Sequence, residues 1–361
     1  MIVKTKKYKK NNKKSKKQTQ KKVLQRGGKF PLITSCTNDL GSITYDVNRV
    51  NKKIIKDEHG VTKYLLVYTD EKNDEIVLNK KELIAEGNYG AVYKISDESE
   101  IINFAAKTYF DQYDSEITIL EKINKKKINC DILSCKLLKT KFYDNQPKEK
   151  YISICEIYNG ELNVNIIRKM TISTKLGVIL KLAKDLKCLV NNGFYYTDIK
   201  IQNTLYKCLE EKIKVTLGDI GSICDDSLDC IATFPPFENR DSPAQITKSE
   251  KQIVWGLGIL LLCLLHNKTN ISRFTYNFFD RNVTEEDAEK AIDKYNENYY
   301  NGQDSIASDK IIIQDGVTLM EIIEKNILNL DPKERFSLTE LINLLETSKY
   351  HVSGIVRESV V

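Results

Sequence analysis

Tyr-Thr-Asp-Ile-Lys-Ile-Gln-Asn, residues 196–203, is the stretch around which this sequence is organised, together with Asp-Ile-Gly at 219–221. It places a lysine two positions after the carboxylate of Asp198 and an amide, Asn203, three positions further on. A second carboxylate, Asp219, follows sixteen residues after the amide, across a segment that reads as a short hairpin. These side chains are suited to hold the metal-bound phosphates of a nucleotide beside a hydroxyl nucleophile.

Two strand-like segments flank a pair of glycines upstream, in residues 83–93. A backbone that passes close over phosphates cannot carry Cβ atoms at its nearest points, and Gly87 and Gly90 meet that need. Ordinary hairpins contain such pairs too. The next apolar strand ends in Lys107, whose ammonium would reach the phosphates if it faces inward; a lysine directed to solvent is the alternative.

A helix is predicted to begin near Asp114 or Ser115, either of which can cap it. Glu116 in its first turn is placed to pair with Lys107, and Glu121 is the competing candidate. The helix dipole alone also favours an acidic residue in a first turn.

Three further segments indicate the rest of the architecture. Residues 54–78 contain short apolar bursts separated by turn residues, which predicts a small β extension. Apolar positions in 176–190 recur at helical spacing and stop at Asn192-Gly193, which predicts an amphipathic helix. The apolar run 253–265 is too short to cross a bilayer at ~20 residues per crossing, so it predicts a buried helix.

The charge of the chain is distributed unevenly. Residues 1–28 hold twelve of the 56 basic residues and no acidic one, which leaves 44 basic against 50 acidic residues in the rest. Such a tail attracts nucleic acid or an acidic partner through salt-sensitive contacts, or it is a solvated, disordered segment that aids solubility.

The nine cysteines form no CxxC pair and are odd in number, so the sequence predicts neither a zinc knuckle nor a disulfide framework. A reducing intracellular compartment fits this usage. The lysines at the N-terminus are not followed by an apolar segment, so no secretory signal is expected. We therefore expect an intracellular, cytoplasmic protein without a membrane segment, with the basic tail as a route into the nucleus.

Taken in this order, the motifs from about Leu83 to Leu345 resemble those of the protein kinase superfamily. The resemblance rests on a glycine loop, a strand lysine, a helix glutamate, D-x-K-x-x-N and D-x-G in succession. It implies an α+β, bilobal fold with a small β-rich N-lobe and a larger helical C-lobe.

The resemblance implies a role for each position around the nucleotide. The glycine loop would cover the phosphates, Val92 and Ala105 would sandwich the adenine, and Lys107, held by Glu116, would contact the α- and β-phosphates. Cys155 matches the gatekeeper, and the backbone of the two residues after it matches the hinge. The implied ATP-binding residues are Ala85, Gly87, Gly90, Val92, Ala105, Lys107, Glu116, Glu156 and Ile157.

The catalytic positions follow from the same resemblance. Asp198 matches the catalytic base, and Lys200 would steady the γ-phosphate. Asn203 and Asp219 match the ligands of Mg²⁺, or of Mn²⁺ in its place, and an amide beside carboxylates adds an oxygen ligand without added negative charge. The lysine in D-x-K-x-x-N favours serine or threonine as the acceptor.

Several positions depart from the family pattern. Ala85 replaces the first glycine of the loop, and Tyr196-Thr197 replaces the usual His-Arg, which removes the usual partner of a phosphorylated activation loop. Ile220 replaces the Phe of D-F-G but can still stack with Leu120 and Tyr196. Ile253 replaces an aspartate that braces the catalytic loop; the brace is then missing or supplied elsewhere, and Glu250 is a candidate for it.

The C-lobe carries one more family feature and one insertion. Glu238, at the end of a short acidic activation segment, is expected to pair with Arg335. Residues 266–316 exceed what a compact C-lobe needs, and Thr284 to Asp287 resembles a capping box before another helix.

The expected domain organisation follows from these segments. It comprises a basic disordered tail at 1–30, a β-rich extension at 31–80, a kinase-like domain at 81–348 and a C-terminal tail at 349–361. Within the domain the N-lobe would span 81–157 and the C-lobe 158–348, with the insertion at about 266–316.

The leading functional hypothesis is an ATP- and magnesium-dependent serine/threonine protein kinase that acts on a protein substrate. A pseudokinase, which would serve as a nucleotide-binding scaffold through its basic tail, is the alternative, and a kinase of small molecules or lipids is a weaker one. The Lys/Asn/Ile-rich composition is typical of an AT-rich genome such as that of a large DNA virus, in which case the virion is a further location.

Overall fold

In the computed structural model of the chain, residues 45–352 are described except 88, 112–114, 129, 131, 133–134, 144, 210–211, 231, 233–247, 270–310, 315–316 and 348–350. The architecture is α+β: antiparallel sheets dominate the N-terminal part and helices dominate the C-terminal part. Several predictions therefore fall wholly or mostly outside the described residues: the tails at 1–30 and 349–361, Glu238 and most of the insertion at about 266–316.

Five strands form the N-lobe: β4 (Lys80–Gly87), β5 (Gly90–Ser96), β6 (Asn103–Tyr109), β7 (Cys135–Thr140) and β8 (Lys150–Cys155). They make one antiparallel sheet in the order β4-β5-β6-β8-β7. The helix α1, Ser115–Lys126, lies between β6 and β7 in sequence and packs against β7.

The β extension predicted from residues 54–78 is a second sheet that packs on the N-lobe. Its strands are β1 (Val50–Lys56), β2 (Thr62–Thr69) and β3 (Glu75–Val77). Val50 and Tyr68 join one buried cluster with Phe104 of the N-lobe. The ammonium of Lys136 on β7 donates to the carbonyls of Asn48 and Val50, at 2.9 and 2.7 Å, which ties the two sheets together at one edge.

Helices build the C-lobe around one apolar core. The predicted amphipathic helix is α3, which starts after the Thr171 cap and ends before Gly193, a residue with a left-handed φ of 81°. The predicted buried helix is α4, which Ser249 caps and which is buried along nearly its whole length. The helices are α2 (Val164–Lys169), α3 (Ile172–Asn191), α4 (Glu250–Leu265), α5 (Leu319–Ile322), continued by a π-helical turn (Ile323–Ile327), and α6 (Leu338–Thr347).

Short strands complete the C-lobe. They form the sheets β12-β11-β9, β10-β13 and β15-β14-β16. The strands are β9 (Gly160–Glu161), β10 (Tyr195–Tyr196), β11 (Thr204–Leu209), β12 (Lys212–Leu217), β13 (Ile223–Cys224), β14 (Ile311–Gln314), β15 (Val317–Thr318) and β16 (His351–Val352). Among the described residues, no helix combines the length and apolar character that a membrane crossing requires.

The expectation of no disulfide framework is wrong. Three disulfides join described cysteines, with Cα–Cα distances of 5.7, 4.2 and 5.2 Å: Cys130–Cys188, Cys135–Cys155 and Cys224–Cys230. Cys135 and Cys155 are partners in the register of β7 and β8, and Cys130 meets α3 only in the folded chain. Spacing along the sequence cannot reveal such neighbours, because tertiary contacts create them.

The buried His266 at the end of α4 makes the stability of the fold depend on pH. Burial, with the positive charges of Lys175 and Lys268, lowers the pKa of His266 to about 4. Between that value and the ordinary His pKa of about 6.5, the unfolded chain binds a proton that the folded chain does not. The free energy of unfolding should therefore fall by about 2 to 3 kcal/mol through this group as the pH drops from 7 to 4.

Urea unfolding of the wild type and His266→Asn at several pH values tests this. The variant is expected to be less stable at pH 7 but to lose less stability on acidification. Equal losses in the two proteins would contradict the assignment of this pH dependence to His266.

Candidate active site

The best-defined part of the site is an ion pair between β6 and α1. The ammonium of Lys107 binds the carboxylate of Glu116, whose side chain is only 5% exposed. Glu121, the competing candidate, is exposed and bonds instead with Tyr151. Lys107 therefore faces inward, and its partner is the one in the first turn of the helix.

Tyr109, which sequence reasoning missed, is a second partner of Glu116. Its hydroxyl lies 2.8 Å from Glu116 Oε1 and 2.9 Å from Ser153 Oγ. Burial raises the pKa of Glu116 and the nearby charge of Asp219 adds to this, whereas Lys107 and Tyr109 lower it. The signal in the sequence is the spacing, since Tyr109 follows Lys107 by two residues and thus shares its face of β6.

The hairpin of β11 and β12 brings the two expected metal ligands together. Asn203 immediately precedes β11 and Asp219 follows β12 by two residues, while Thr204 pairs with Leu217 across the open end. The amide of Gly218 donates to the carbonyl of Asn203 at 2.7 Å. Asn203 and Asp219, sixteen positions apart in the sequence, thus lie at the same end of the hairpin.

Asp198 is buried and held by two neighbours of the same loop. Lys200 Nζ donates to Asp198 Oδ2 at 2.7 Å, and Asn203 Nδ2 donates to the same oxygen at 3.1 Å. Asn203 also donates to the carbonyl of Asp198 at 2.9 Å. The carboxylate, the lysine and the amide that the sequence singles out form one hydrogen-bonded group.

Asp219 lies close to the ion pair, at a sharp turn of the chain. Its φ of 49° is left-handed, which turns the chain after the hairpin. Ser222 Oγ donates to Asp219 Oδ2 at 2.9 Å. A Cβ on Gly221 would lie 3.4 Å from the Asp219 carboxylate and 3.5 Å from that of Glu116, so both carboxylates lie close to this glycine.

Tyr196, in place of the family's histidine, fixes the catalytic loop to the strand before Asp219. Its hydroxyl donates to the carbonyl of Gly218 at 2.7 Å. Burial raises the pKa of Tyr196 well above its ordinary value, and the charges of Asp219 and Asp198 raise it further, so the hydroxyl keeps its proton. Tyr196 shares the buried C-lobe core with Ile220 and Leu120, as the sequence predicts.

The residues expected around the adenine share one face of the N-lobe sheet. Val92 pairs with Lys107 across β5 and β6, and Ala105 pairs with Cys155 across β6 and β8. Directly opposed residues, and residues two apart on one strand, point to the same side. The face that presents Lys107 therefore also presents Val92 and Ala105.

The segment after β8 is anchored through the side chain of Glu156. Its carboxylate accepts from Lys214 at 2.7 Å and from the buried Lys207 at 3.4 Å. The carboxylate is thus held against β11 and β12 while the backbone of Glu156 and Ile157 continues from the N-lobe sheet. Cys155, the expected gatekeeper, is bonded to Cys135.

Glu250 does not brace the catalytic loop, so that prediction is wrong. Its carboxylate binds Lys187 of α3 and the amide of Leu338, and it joins helices instead. The loop rests on α4 through an apolar contact: a Cβ on Gly256 would lie 3.1 Å from Ile199 Cβ. The close approach that the glycine permits provides support where Ile253 replaces an acidic residue.

Arg335 is buried, but its expected partner Glu238 lies outside the described residues. Its guanidinium donates to the carbonyls of Asn329, at 2.7 and 3.1 Å, and of Lys251, at 3.2 Å. It also lies over the ring of Trp255, 5.0 Å from the centroid. These contacts join α4 to the loop before α6.

The family model for the protein kinase domain matches residues 78–344, well over half of the chain. The chain belongs to the protein kinase family. A search of curated proteins finds no match. Protein kinase domains transfer phosphoryl groups to proteins, with a nucleotide and divalent metal ions. The match spans every motif on which the resemblance rests, from the glycine loop to the C-lobe helices.

The two loop glycines should respond differently to alanine. A Cβ on Gly90 would lie 2.0 Å from the carbonyl oxygen of Thr108, whereas one on Gly87 would meet nothing within 4 Å. Gly90→Ala should therefore lower the free energy of unfolding by at least about 2 kcal/mol, because two paired strands must move apart. Gly87→Ala should change it by less than about 1 kcal/mol and should weaken nucleotide binding instead.

Urea unfolding, and the thermal shift produced by ATP with magnesium, measure both effects. Equal loss of stability in the two variants would contradict the different environments of the two glycines.

Proposed function

We propose that the protein is an active, ATP- and Mg²⁺-dependent serine/threonine protein kinase. The observation that carries the proposal is the assembled pair of Lys107 and Glu116, with the carboxylates of Glu116 and Asp219 both close to Gly221. The site thereby brings a cation for the phosphates close to a carboxylate for the metal. That proximity is what positioning and charge stabilisation of a transferring phosphoryl group require.

The nucleotide would lie between the N-lobe sheet and the catalytic loop. Gly87 and Gly90, with Ala85 before them, would cover the phosphates, and the space beside Gly87 leaves room for them. Val92 and Ala105 would enclose the adenine, whose edge would meet the backbone of Glu156 and Ile157. Lys107 would bind the α- and β-phosphates.

Asn203 and Asp219 would hold Mg²⁺ or Mn²⁺. A carboxylate and an amide oxygen are hard ligands, and magnesium completes its shell with water and phosphate oxygens. Among the described residues, Asp219 Oδ2 accepts one hydrogen bond, from Ser222, so the carboxylate retains capacity for a metal. The bound metal would neutralise the charge that develops on the phosphates.

Asp198 would orient the acceptor hydroxyl and accept its proton. Asn203 holds the carboxylate in place. Lys200, whose ammonium lies 2.7 Å from Asp198 Oδ2, would bind the γ-phosphate and stabilise its negative charge during transfer. The lysine at this spacing supports serine and threonine as the acceptors.

We also propose the domain organisation expected from the sequence. A basic tail at 1–30 and an extension at 31–80 would precede the kinase domain at 81–348, with lobes 81–157 and 158–348 and a C-terminal tail at 349–361. Residues 1–28 would attract nucleic acid or an acidic protein through their twelve basic side chains.

The alternative proposal is a pseudokinase that binds nucleotide and acts as a scaffold. It is motivated by Ala85, by Tyr196-Thr197 and by Ile253, which depart from the family pattern. The structural substitutes at two of these positions weigh against it: Tyr196 bonds to Gly218, and Ile199 packs on Gly256.

Transfer of labelled γ-phosphate to generic basic and acidic protein substrates separates the proposals. Asp198→Asn should lower kcat by about 10² to 10⁴, because it removes the proton acceptor and keeps the shape of the side chain. Asp226→Asn, which alters an exposed carboxylate nearby, should retain wild-type kcat and serves as the control.

Two outcomes would contradict the proposal. Equal transfer by wild type and Asp198→Asn would assign the activity to a contaminant. Thermal stabilisation by ATP and magnesium without any transfer would support the pseudokinase.

A further inference from the structure

One contact outside the expected site joins the helix that carries Glu116 to the segment that follows Asp219. Lys122 lies six residues after Glu116 on α1, and its ammonium donates to Asp225 Oδ2 and to Ser227 Oγ, both at 2.6 Å. The side chains of Lys122 and Asp225 are 33% and 16% exposed. We call Lys122, Asp225 and Ser227 the latch.

Contacts within its own loop fix the position of Asp225 independently of Lys122. The amide and hydroxyl of Ser227 donate to Asp225 Oδ1 at 2.9 and 2.7 Å, which leaves Oδ2 for Lys122. The disulfide Cys224–Cys230 closes the short loop that contains both acceptors. The loop thus presents a fixed pair of oxygens to the helix.

The carboxylate of the latch is ionised at neutral pH. Burial alone would raise the pKa of Asp225, but the hydrogen bonds from Lys122 and Ser227 outweigh it and lower the pKa to about 2. A permanently charged carboxylate therefore holds the ammonium of α1.

The latch is connected to the catalytic loop by a strand pair. Asp225 directly follows β13, in which Ile223 pairs with Tyr196 of β10, two residues before Asp198. A shift of α1 away from this loop would move Glu116 relative to both Asp219 and Lys107. The latch thus restrains the helix whose first turn completes the site.

A phosphate added to the segment after Asp219 would not meet an arginine beside Asp198, because Thr197 occupies that position. A negative charge is already bound to α1 from the same segment. An added phosphate could restrain α1 by binding to it, and in the unmodified chain Asp225 already binds α1 through Lys122.

We propose that Lys122 is a positioning residue, and that its ion pair with Asp225 keeps the active site assembled without phosphorylation of the segment that follows Asp219. The proposal rests on the proposed kinase function. It extends that function to regulation: the enzyme is active as synthesised. A simple surface ion pair, with no influence on the site, is the competing interpretation.

The experiment compares full-length variants by two readouts. Lys122→Ala and Asp225→Ala remove the latch, and the double variant tests whether they act as one unit. Lys125→Ala, on the same helix, and Asp226→Ala, in the same loop, are matched controls because both native side chains are exposed. The readouts are kcat for phosphoryl transfer and hydrogen exchange of the amides in residues 223–230.

Each latch variant should lower kcat about threefold to tenfold and speed exchange in residues 223–230, and the double variant should add little to either effect. The charge exchange Lys122→Asp with Asp225→Lys should recover at least half of the lost kcat. Treatment of the wild type with a phosphatase should leave kcat unchanged. The controls should stay within twofold of the wild type.

Latch variants that match the controls in both readouts would overturn the proposal, as would loss of activity after phosphatase treatment. Faster exchange with unchanged kcat would overturn the positioning role and leave a local ion pair only. If the wild type transfers no phosphate, the proposed kinase function fails, and the exchange data alone then decide whether the latch restrains the loop.

Discussion

The candidate site depends on one ion pair, in which Glu116 on the helix α1 is buried and Lys107 on the N-lobe sheet is partly exposed. A buried carboxylate without a partner would cost several kcal/mol, so the helix is restrained to the position in which lysine and glutamate meet. Tyr109 adds a neutral donor to the same carboxylate and fixes it from the sheet side. Sheet, helix and the turn at Asp219 therefore meet at one carboxylate, and the position of each constrains the others.

The loop that carries Asp198 departs from the family pattern at several positions and is held by contacts of its own. A phenol at Tyr196 joins the loop to Gly218, and the apolar contact of Ile199 with Gly256 supports it from α4. Lys122 joins α1 to the segment after Asp219. Each contact links an element that carries a candidate site residue to a neighbouring element, so the departures in the sequence change how these elements are held together.

The strands, helices and turns that carry the candidate site could be predicted from local spacing in the sequence. Contacts between residues far apart in the chain could not. The hairpin before Asp219, the strand with Lys107 and the helix with Glu116 follow from periodicity and turn residues, and all are present, although the strand continues two residues past Lys107 to Tyr109. Two of the three disulfides, the role of Glu250 and the latch depend on residues 20 to 105 positions apart in the chain, whose contacts arise only on folding. Tyr109 is an intermediate case. The face of β6 on which it lies could be predicted from its spacing to Lys107, but its hydrogen bond to Glu116 could not.

The activity of Glu116→Gln beside that of Glu121→Gln tests the role of this ion pair. Glutamine keeps the shape of Glu116 but removes the charge that holds Lys107, whereas Glu121 is exposed and bonds with Tyr151. Glu116→Gln should lower kcat/KM for ATP by at least about tenfold. Glu121→Gln should stay within twofold of the wild type. Wild-type kcat/KM in Glu116→Gln would show that the site does not depend on this ion pair.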